Sequence, residues 1–267
     1  TMNMKSRLFK NRLAGSSALV AAALLSMSSP TPASAAQVVV TGTGNSTQTL
    51  VAADELIVNG GATITDTPGV DVDNVAATSI TNNGTIQGTT NLAVNIVNAA
   101  SLTGSLTNNG VIAVDVDETT DTTITSILID NSSIGGSFSN SGTISAALDI
   151  NNTGLGLTGY AYGILMQNGS AITGNFVNNG TISSVVNVDG GSSSAYAYAY
   201  GADIGGTISG GFTNNGTISG TATAMSTTGT AEATAYGLYL SNNPVSGAFT
   251  NSGTISATAT ALTNSTN

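Results

Sequence analysis

The chain has 267 residues, of which 7% are charged and 4% are aromatic, and it contains neither cysteine nor histidine. Without cysteine it cannot form a disulfide scaffold or thiolate metal sites, and without histidine the ordinary zinc and iron sites are excluded as well. Nucleophilic triads are excluded too, because a serine or threonine must be activated by a base such as histidine or lysine. The chain has no histidine, and no lysine follows Lys10. We therefore expect no cofactor and no catalytic residues.

The first residues have the order of features found in secretion signals. Four basic residues lie within positions 5–12, the uncharged apolar run Leu13–Leu25 follows, and Ala33-Ser34-Ala35 forms a small-residue cleavage site. The apolar run is shorter than the roughly 20 residues that a membrane-spanning helix requires. The sequence therefore predicts a signal peptide over residues 1–35 and a secreted repeat region over residues 36–267.

Removal of the signal peptide leaves a wholly acidic chain. All four lysine and arginine residues precede Leu13, whereas all 14 aspartate and glutamate residues lie between Asp54 and Glu232. The net charge therefore changes from −10 to −14. Nucleic acids and anionic membrane surfaces bind proteins through Lys and Arg, so we expect neither as a partner.

One short phrase recurs six times along the chain. Its copies read ITNNGTI (80–86), LTNNGVI (106–112), FSNSGTI (138–144), FVNNGTI (176–182), FTNNGTI (212–218) and FTNSGTI (249–255). The glycines of the phrase are Gly84, Gly110, Gly142, Gly180, Gly216 and Gly253, which are 26, 32, 38, 36 and 37 residues apart. A repeat of this length is typical of stacked structural units whose neighbours complete one another's core.

Two classes of residue alternate along each copy. In the fifth copy Phe212, Asn214 and Ile218 share one parity, whereas serine and threonine dominate the other. This alternation predicts a β-strand whose apolar parity faces a core and whose Ser/Thr parity faces water. A second alternating stretch precedes the later copies and reads Leu92-x-Val94-x-Ile96, Thr125-x-Ile127-x-Ile129, Tyr162-x-Ile164-x-Met166, Tyr200-x-Ala202-x-Ile204 and Tyr236-x-Leu238-x-Leu240. A third stretch continues the register after each phrase, as in Ile182 to Val188.

Three short strands per repeat, joined by bends, describe one turn of a parallel β-solenoid. We therefore predict an all-β fold, a parallel β-helix of about six to seven turns. The shortest interval, from Gly84 to Gly110, still contains both strand motifs, which favours one turn per repeat over two. The additional residues of the later repeats fall in 147–160, 185–197 and 221–233. We predict hairpins or longer sheet edges there, on the side where a solenoid often binds its ligand.

The glycine and asparagine of the phrase have separate predicted roles. Glycine accepts the positive φ that a corner requires, and asparagine tolerates it better than most residues. Inward asparagines from successive turns can also join into a ladder of hydrogen-bonded amides; they are Asn82, Asn108, Asn140, Asn178, Asn214 and Asn251. Turns about 4.8 Å apart would likewise stack the inward rings of Phe138, Phe176, Phe212 and Phe249.

After removal of the signal peptide, the acidic residues are the only side chains with a pKa below that of tyrosine. The densest cluster is Asp115, Asp117, Glu118 and Asp121, and Asp71 with Asp73 forms the next. Carboxylates two residues apart on a strand lie about 6.6–7 Å apart, which is within the range of inverting glycosidases. However, the strand parity directs Asp115 and Asp117 to solvent rather than across a cleft. A solvated acidic edge is therefore the favoured interpretation of the larger cluster, and calcium, which prefers oxygen ligands, is the alternative.

The tyrosines have two interpretations. Tyr200 aligns with Tyr162 and Tyr236, which favours stacking of these three rings in the core. Tyr196 and Tyr198 share the same parity but lie in a variable segment. Packing in the core or at a sheet edge is the commoner arrangement of aromatic side chains, and an aromatic stripe presented to a sugar or a protein is the alternative.

The NNGTIS-type phrases, the signal peptide and the cysteine-free body with its Ser/Thr/Gly/Ala-rich connections resemble the passenger region of Gram-negative autotransporters, the type V secretion family. The resemblance covers roughly residues 37–267. It implies a right-handed parallel β-helix displayed at the cell surface, as an adhesin, a stalk or a scaffold for another activity. Other secreted solenoids, including two-partner-secretion adhesins of the filamentous haemagglutinin type, use similar phrases.

Autotransporters end in a membrane β-barrel, and the resemblance implies that any membrane association would occur through that barrel. This chain ends within a repeat, at Thr263–Asn267, so we expect either a fragment or a barrel on another chain. The favoured function is a non-catalytic surface passenger that binds a protein or a glycan. The alternatives are a secreted carbohydrate-active enzyme on the same fold and a self-assembling extracellular fibre, since open sheet ends with asparagine ladders can template growth.

Overall fold

The structure, a computed structural model, describes residues 35–152, 154, 156–241 and 244–263. The predicted signal peptide lies outside these residues except for Ala35. The first strands in chain order are β1 (Gln37–Val40), β2 (Gln48–Thr49), β3 (Glu55–Val58), β4 (Thr63–Thr65), β5 (Val70–Asp73), β6 (Ala76–Ala77), β7 (Ser79–Asn82), β8 (Thr85–Gly88), β9 (Leu92–Val97), β10 (Ser101–Leu102), β11 (Leu106–Asn108), β12 (Val111–Glu118), β13 (Thr122–Asp130) and β14 (Ser133–Ile134). The remaining strands are β15 (Phe138–Asn140), β16 (Thr143–Asn151), β17 (Leu157–Gln167), β18 (Ala171–Ile172), β19 (Phe176–Asn178), β20 (Thr181–Asp189), β21 (Ala195–Ile204), β22 (Thr207–Ile208), β23 (Phe212–Asn214), β24 (Thr217–Ser226), β25 (Ala231–Leu240), β26 (Phe249–Asn251) and β27 (Thr254–Thr263).

Neighbouring strands pair in parallel and form four sheets, which we name A to D. Sheet A contains β1, β3, β7, β11, β15, β19, β23 and β26, and sheet B contains β4, β8, β12, β16, β20, β24 and β27. Sheet C contains β2, β5, β9, β13, β17, β21 and β25, and sheet D contains β6, β10, β14, β18 and β22. The chain passes through the four sheets in order and then starts the next turn, which makes it a parallel β-solenoid.

Five turns have a strand in every sheet, from β3–β6 to β19–β22, and incomplete turns precede and follow them. Phe138 pairs directly with Phe176, and Phe176 with Phe212, so each repeat makes one turn. The all-β parallel solenoid and the single turn per repeat are therefore confirmed. The described residues contain no helix, and hence none long and apolar enough to cross a membrane.

The interior contains the parity that the alternation predicts. Leu106 and three of the four phenylalanines of the phrase are fully buried, and so are the isoleucines that begin sheet B in successive turns, Ile112, Ile144, Ile182 and Ile218. The ring centroids of Phe138, Phe176, Phe212 and Phe249 are 4.6, 4.7 and 5.0 Å apart in that order, with interplanar angles of at most 12°. The phenylalanines thus form one continuous stack along the solenoid axis.

A ladder of amides runs beside the phenylalanine stack. Each inward asparagine from Asn82 to Asn214 donates a hydrogen bond from Nδ2 to Oδ1 of the equivalent asparagine one turn later, at 2.7–2.8 Å, and Asn251 accepts the last of them. The same amides also donate to the backbone of sheet B, as Asn140 does to the carbonyl oxygen of Thr181 at 3.1 Å. These buried polar groups are therefore paired, which avoids the cost of burying an unsatisfied amide.

The predicted reason for the phrase glycines is wrong. None of them has a positive φ; glycine is required because successive turns touch at this position. A Cβ built on Gly180 would lie closer than 3.0 Å to the carbonyl oxygen of Gly142, and one built on Gly142 would meet Gly110 in the same way. Because backbone packs on backbone here, no space remains for a methyl group.

The corner with positive φ lies instead between sheets C and D. Asparagine occupies it in four successive turns with φ between 47° and 59°, at Asn74, Asn98, Asn131 and Asn168. Two of these side chains also bond to the previous turn: Asn98 Nδ2 donates to Asp73 Oδ1 at 2.8 Å, and Asn168 Nδ2 donates to Asp130 Oδ1 at 2.7 Å. Asparagine tolerates the left-handed conformation, so this corner contains the residue type that we predicted for a corner at the phrase.

The variable segments lengthen sheets B and C on one side of the solenoid. In sheet B the strands grow from four residues in β8 to nine in β16 and ten in β24. In sheet C they grow from six residues in β9 to eleven in β17. The prediction of longer sheet edges is confirmed. We call residues 147–160, 185–197 and 221–233 the extension; small and aliphatic side chains such as Leu148, Val186 and Ala197 fill its interior.

Candidate functional site: the outer face of sheet C

Each long strand of sheet C changes its inward parity part-way along. In β17 both Gly163 and Ile164 are buried, whereas Tyr162 is only partly buried. Tyr162 pairs with Tyr200, which pairs with Tyr236, and the glycine after each of them is left out of the ladder pairing. The prediction that these three tyrosines stack in the core is therefore wrong, because they stack on the outer face of the sheet.

Close contact between sheets B and C causes this change of parity. The position after the tyrosine is occupied in successive turns by small residues only: Ala93, Ser126, Gly163, Gly201 and Gly237. A Cβ built on Gly201 would lie closer than 3.0 Å to the carbonyl oxygens of Gly237 and Ser219, the second of which belongs to sheet B. A large side chain cannot enter this space, so the strand turns the adjacent tyrosine outward.

The outward tyrosines form two columns along the solenoid axis. The ring centroids of Tyr162 and Tyr200 are 4.9 Å apart and those of Tyr200 and Tyr236 are 5.1 Å apart, with interplanar angles of 13° and 20°. In the second column Tyr160 and Tyr198 are 4.6 Å apart at 11°. Both columns result from the register of sheet C, which places equivalent side chains directly above one another.

All seven tyrosines of the chain lie on this surface, which we call the tyrosine face; they are Tyr160, Tyr162, Tyr196, Tyr198, Tyr200, Tyr236 and Tyr239. Tyr236 and Tyr239 are 38% and 41% exposed, and the others are partly buried. Because neighbouring rings cover one another's planes, a binding partner would meet ring edges and hydroxyl groups. This arrangement fits a protein surface better than it fits a sugar ring, which would need an open ring plane.

Two carboxylates lie among these tyrosines. Glu232 Oε1 accepts a hydrogen bond from the hydroxyl of Tyr198 at 3.5 Å. Asp203 is partly buried, pairs in register with Leu165 and Tyr239, and has no hydrogen-bonding or ion-pairing partner among the described residues. Burial raises the pKa of its carboxyl group. A charged group in this position is only partly solvated and is not compensated by the chain itself.

The tyrosines beside these carboxylates resist ionisation. Burial is the main cause of the raised pKa of Tyr162, and Tyr200 and Asp203 add to it. Burial likewise raises the pKa values of Tyr200 and Tyr198, and Glu232 contributes at Tyr198. These phenols therefore remain protonated well above neutral pH and can both donate and accept hydrogen bonds.

The acidic residues considered for calcium are not gathered into a site. Asp115 and Asp117 are exposed on the outer side of β12, as their parity predicted, and Asp121 Oδ1 accepts a hydrogen bond from the backbone amide of Thr158 at 2.8 Å. Glu118 lies at the end of the same strand and is partly buried. Within the described part of the chain, no group of three or more Asp or Glu side chains is placed to hold a metal ion.

The sequence contains a signal for the tyrosine face that the alternation rule alone does not use. The tripeptide Ala-Tyr-Gly recurs at 161–163, 199–201 and 235–237, and its glycine marks the change of parity. No such signal marks Asp203, because Leu165 and Tyr239 occupy its position in the neighbouring turns. Comparison with known proteins adds no relative: no family model, curated protein or solved structure matches the chain.

Proposed function

We propose that the chain is a secreted or surface-displayed β-solenoid passenger without catalytic activity, acting as an adhesin, stalk or scaffold that makes its contacts through the tyrosine face. The observation that carries the proposal is the placement of all seven tyrosines on the outer face of one sheet. Tyrosine is enriched at protein interfaces, because it supplies a large amphipathic contact area at low conformational-entropy cost.

The division of the solenoid into constant and variable parts supports the same proposal. The phrase in sheet A keeps its register through every turn, whereas the added residues all lie in the extension, beside or within the tyrosine face. Insertions confined to one side of a solenoid are typical of its binding face. The predicted signal peptide and the resemblance to autotransporter passengers support display outside the cell.

Export is tested first, with the full chain expressed in a Gram-negative host. We expect the chain to leave the cytoplasm and to acquire a new N-terminus at Ala36, which fractionation and N-terminal sequencing would detect. Accumulation of the uncleaved chain in the cytoplasm would contradict surface display.

Adhesion is tested with beads coated with the purified chain and scored for attachment to a cultured epithelial cell layer. We expect wild-type beads to attach and the double variant Tyr160→Ser/Tyr198→Ser to lose most of the attachment. The matched control is Val185→Ser/Met225→Ser, which removes two outward apolar side chains from sheet B.

Circular dichroism and thermal unfolding would establish that both variants keep the fold. Equal attachment of the tyrosine variant and the control would show that the tyrosine face is not the contact surface. Hydrolysis of a polysaccharide by the purified chain would instead support the carbohydrate-active enzyme.

A further inference from the structure

We propose that the tyrosine face docks a cationic polypeptide, and that arginine side chains of this partner pair with Asp203 and Glu232. The inference rests on the proposed function, since it names the class of partner for the same face. Three features of the molecule support it: the charge of the chain, the state of the carboxylates on sheet C and the phenol groups around them.

The charge of the chain restricts the partner. The described residues include 14 carboxylates and no Lys, Arg or His, so no ion pair can form within them. Five of these carboxylates lie on the outer side of sheet C, and they are Asp71, Asp73, Asp130, Asp203 and Glu232. A surface with charges of one sign attracts partners of the other sign and repels its own kind.

The five carboxylates differ in the number and length of the hydrogen bonds that they accept from the chain itself. Asp71 accepts a hydrogen bond from Asn95 at 2.8 Å, and Asp73 accepts one from Asn98 at the same distance. Asp130 accepts hydrogen bonds from two amide side chains of the next turn. The two carboxylates among the tyrosines have much less: Glu232 accepts one long hydrogen bond of 3.5 Å and Asp203 accepts none among the described residues.

Asp203 has the least favourable surroundings of the five carboxylates. Its neighbours in register are the leucine at 165 and the tyrosine at 239, so the carboxylate is partly withdrawn from water without an internal donor. A cation brought by a partner would supply the missing donor and offset the desolvation of the charge. Asp203 lies on the same outer face as Tyr162 and Tyr200, three residues beyond Tyr200 along β21, and its charge contributes to the raised pKa values of both phenols.

Arginine fits these groups better than lysine does. A guanidinium group carries five donors in a planar fork, and it can bond to a carboxylate through two parallel hydrogen bonds. Its remaining donors can bond to the phenol oxygens that the stacked tyrosines present at their edges. Tyrosine and arginine are also the residue types most enriched among the energetically dominant contacts of protein interfaces.

The test measures binding of fluorescently labelled nona-arginine and nona-lysine peptides to the full chain by fluorescence anisotropy at low salt. We expect nona-arginine to bind, and to bind several-fold more tightly than nona-lysine. The double variant Asp203→Asn/Glu232→Gln should weaken the binding of nona-arginine at least tenfold. The matched control Asp115→Asn/Asp117→Asn removes the same charge from the outer face of sheet B and should change the Kd less than threefold.

A second variant tests the contribution of the tyrosines to peptide binding without a change in net charge. The variant Tyr200→Ser retains every carboxylate and should still weaken nona-arginine binding several-fold, with thermal unfolding used to show that it is folded. Equal losses in the two charge variants would overturn the proposal, because net charge alone would then explain the binding. Equal affinity for the two peptides, or no binding of nona-arginine, would also overturn it.

The two proposals can fail separately. If nona-arginine does not bind but Tyr160→Ser/Tyr198→Ser still abolishes attachment of beads to cells, the cationic partner is wrong and the tyrosine face remains the contact surface. If attachment survives loss of these tyrosines, the proposed contact surface itself is wrong.

Discussion

The phrase in sheet A and the extension of sheets B and C belong to the same turns of the solenoid, yet stacked side chains lie inside the solenoid in the first region and outside it beside the second. In sheet A the contacts lie inside: a phenylalanine stack, an amide ladder and glycine backbones that touch from turn to turn. In the extension the interior is filled by small and aliphatic side chains, and the aromatic stacks beside it lie on the outer face of sheet C. The comparison shows that a stack of rings at nearly the same spacing can belong to the core in one sheet and to the surface in another.

Within one turn, the inner side of sheet A therefore contributes mainly to stability, whereas the tyrosine face is free to contribute to recognition. A side chain inside sheet A touches its copies above and below, so a change there affects at least two turns. A side chain on the tyrosine face has one side open to water, and its neighbours can vary without disturbing the core. The following variants compare the two regions, starting with the largest expected effect.

Gly180→Ala should have the largest effect, because its Cβ would overlap the backbone of Gly142 in the previous turn. Rigid backbone cannot yield as a side chain does, so we expect a loss of about 5 kcal/mol or more in the free energy of unfolding, or no folding at all. Gly156→Ala, in the extension, is the control, since the nearest atom to its Cβ is 4.0 Å away. Urea unfolding should place the control within about 0.5 kcal/mol of wild type. Similar losses in both variants would show that close contact between the backbones of successive turns is not what requires glycine at position 180.

Phe176→Ala and Tyr200→Ala compare the inner and outer stacks directly, since each ring has a stacked neighbour on both sides. Phe176 is fully buried, and its loss should cost about 3–5 kcal/mol. Tyr200 is partly exposed, and its loss should cost about 1–3 kcal/mol, since it removes two aromatic pairs of about 0.5–1.5 kcal/mol each. Thermal and urea unfolding measure both values. A larger loss at the tyrosine would show that the outer stack is structural.

Asn140→Ala tests the amide ladder. It removes a donor to Asn178 and an acceptor for Asn108, and each buried group left unpaired should cost about 1–3 kcal/mol. The control is Asn215→Ala, whose side chain donates to Asn179 on the exposed side of the same phrase. Because water can replace that bond, urea unfolding should show a loss of less than about 1 kcal/mol. Equal losses would mean that burial of the ladder is unimportant.

The smallest expected effect is a loss of stability at alkaline pH that originates on the tyrosine face. The pKa values of Tyr162, Tyr198 and Tyr200 are raised in the folded chain, whereas the unfolded chain ionises near the ordinary value of about 10. The resulting stabilisation is present below that pH and is lost as the pH rises above it through the folded-state pKa values.

Urea unfolding at a series of pH values, with phenolate absorbance recorded in parallel, measures this loss. Tyr162→Phe should flatten the alkaline part of the profile relative to wild type, since one of the groups with a raised pKa is removed. An unchanged profile would show that burial of this phenol has no effect on stability.

The sequence predicts the inside of sheet A well because its signal is local. A period of two is enough to place Phe176 and Asn178 on the inner face, and the repeat then places each residue above its copy. The role of the glycines is not local. A positive φ and a close approach both require glycine, and only the position of the neighbouring turn distinguishes the two causes.

The tyrosine face could be predicted only in part for the same reason. Strict alternation would carry Tyr162 inward together with Ile164, but the contact between sheets B and C at Gly163 shifts the parity by one residue. That contact joins two sheets whose separation no short stretch of sequence specifies. The carboxylate of Asp203 could not be singled out, because its partly buried, unpaired state depends on neighbours from two other turns.

The amide ladder gives the solenoid a direction. All five of its bonds run from one turn to the following turn, and each of the four asparagines between Asn82 and Asn251 both donates forward and accepts from behind. The side-chain dipoles therefore align and polarise one another along the axis, as peptide dipoles do in a helix. A junction between two turns is therefore compatible only head to tail. Duplication or deletion of one whole repeat preserves the polarity and the register together, and the residues added within the later repeats are accommodated in the extension without a change in the register of the phrase. The length of this protein can thus vary in steps of one turn while the inner side of sheet A stays the same.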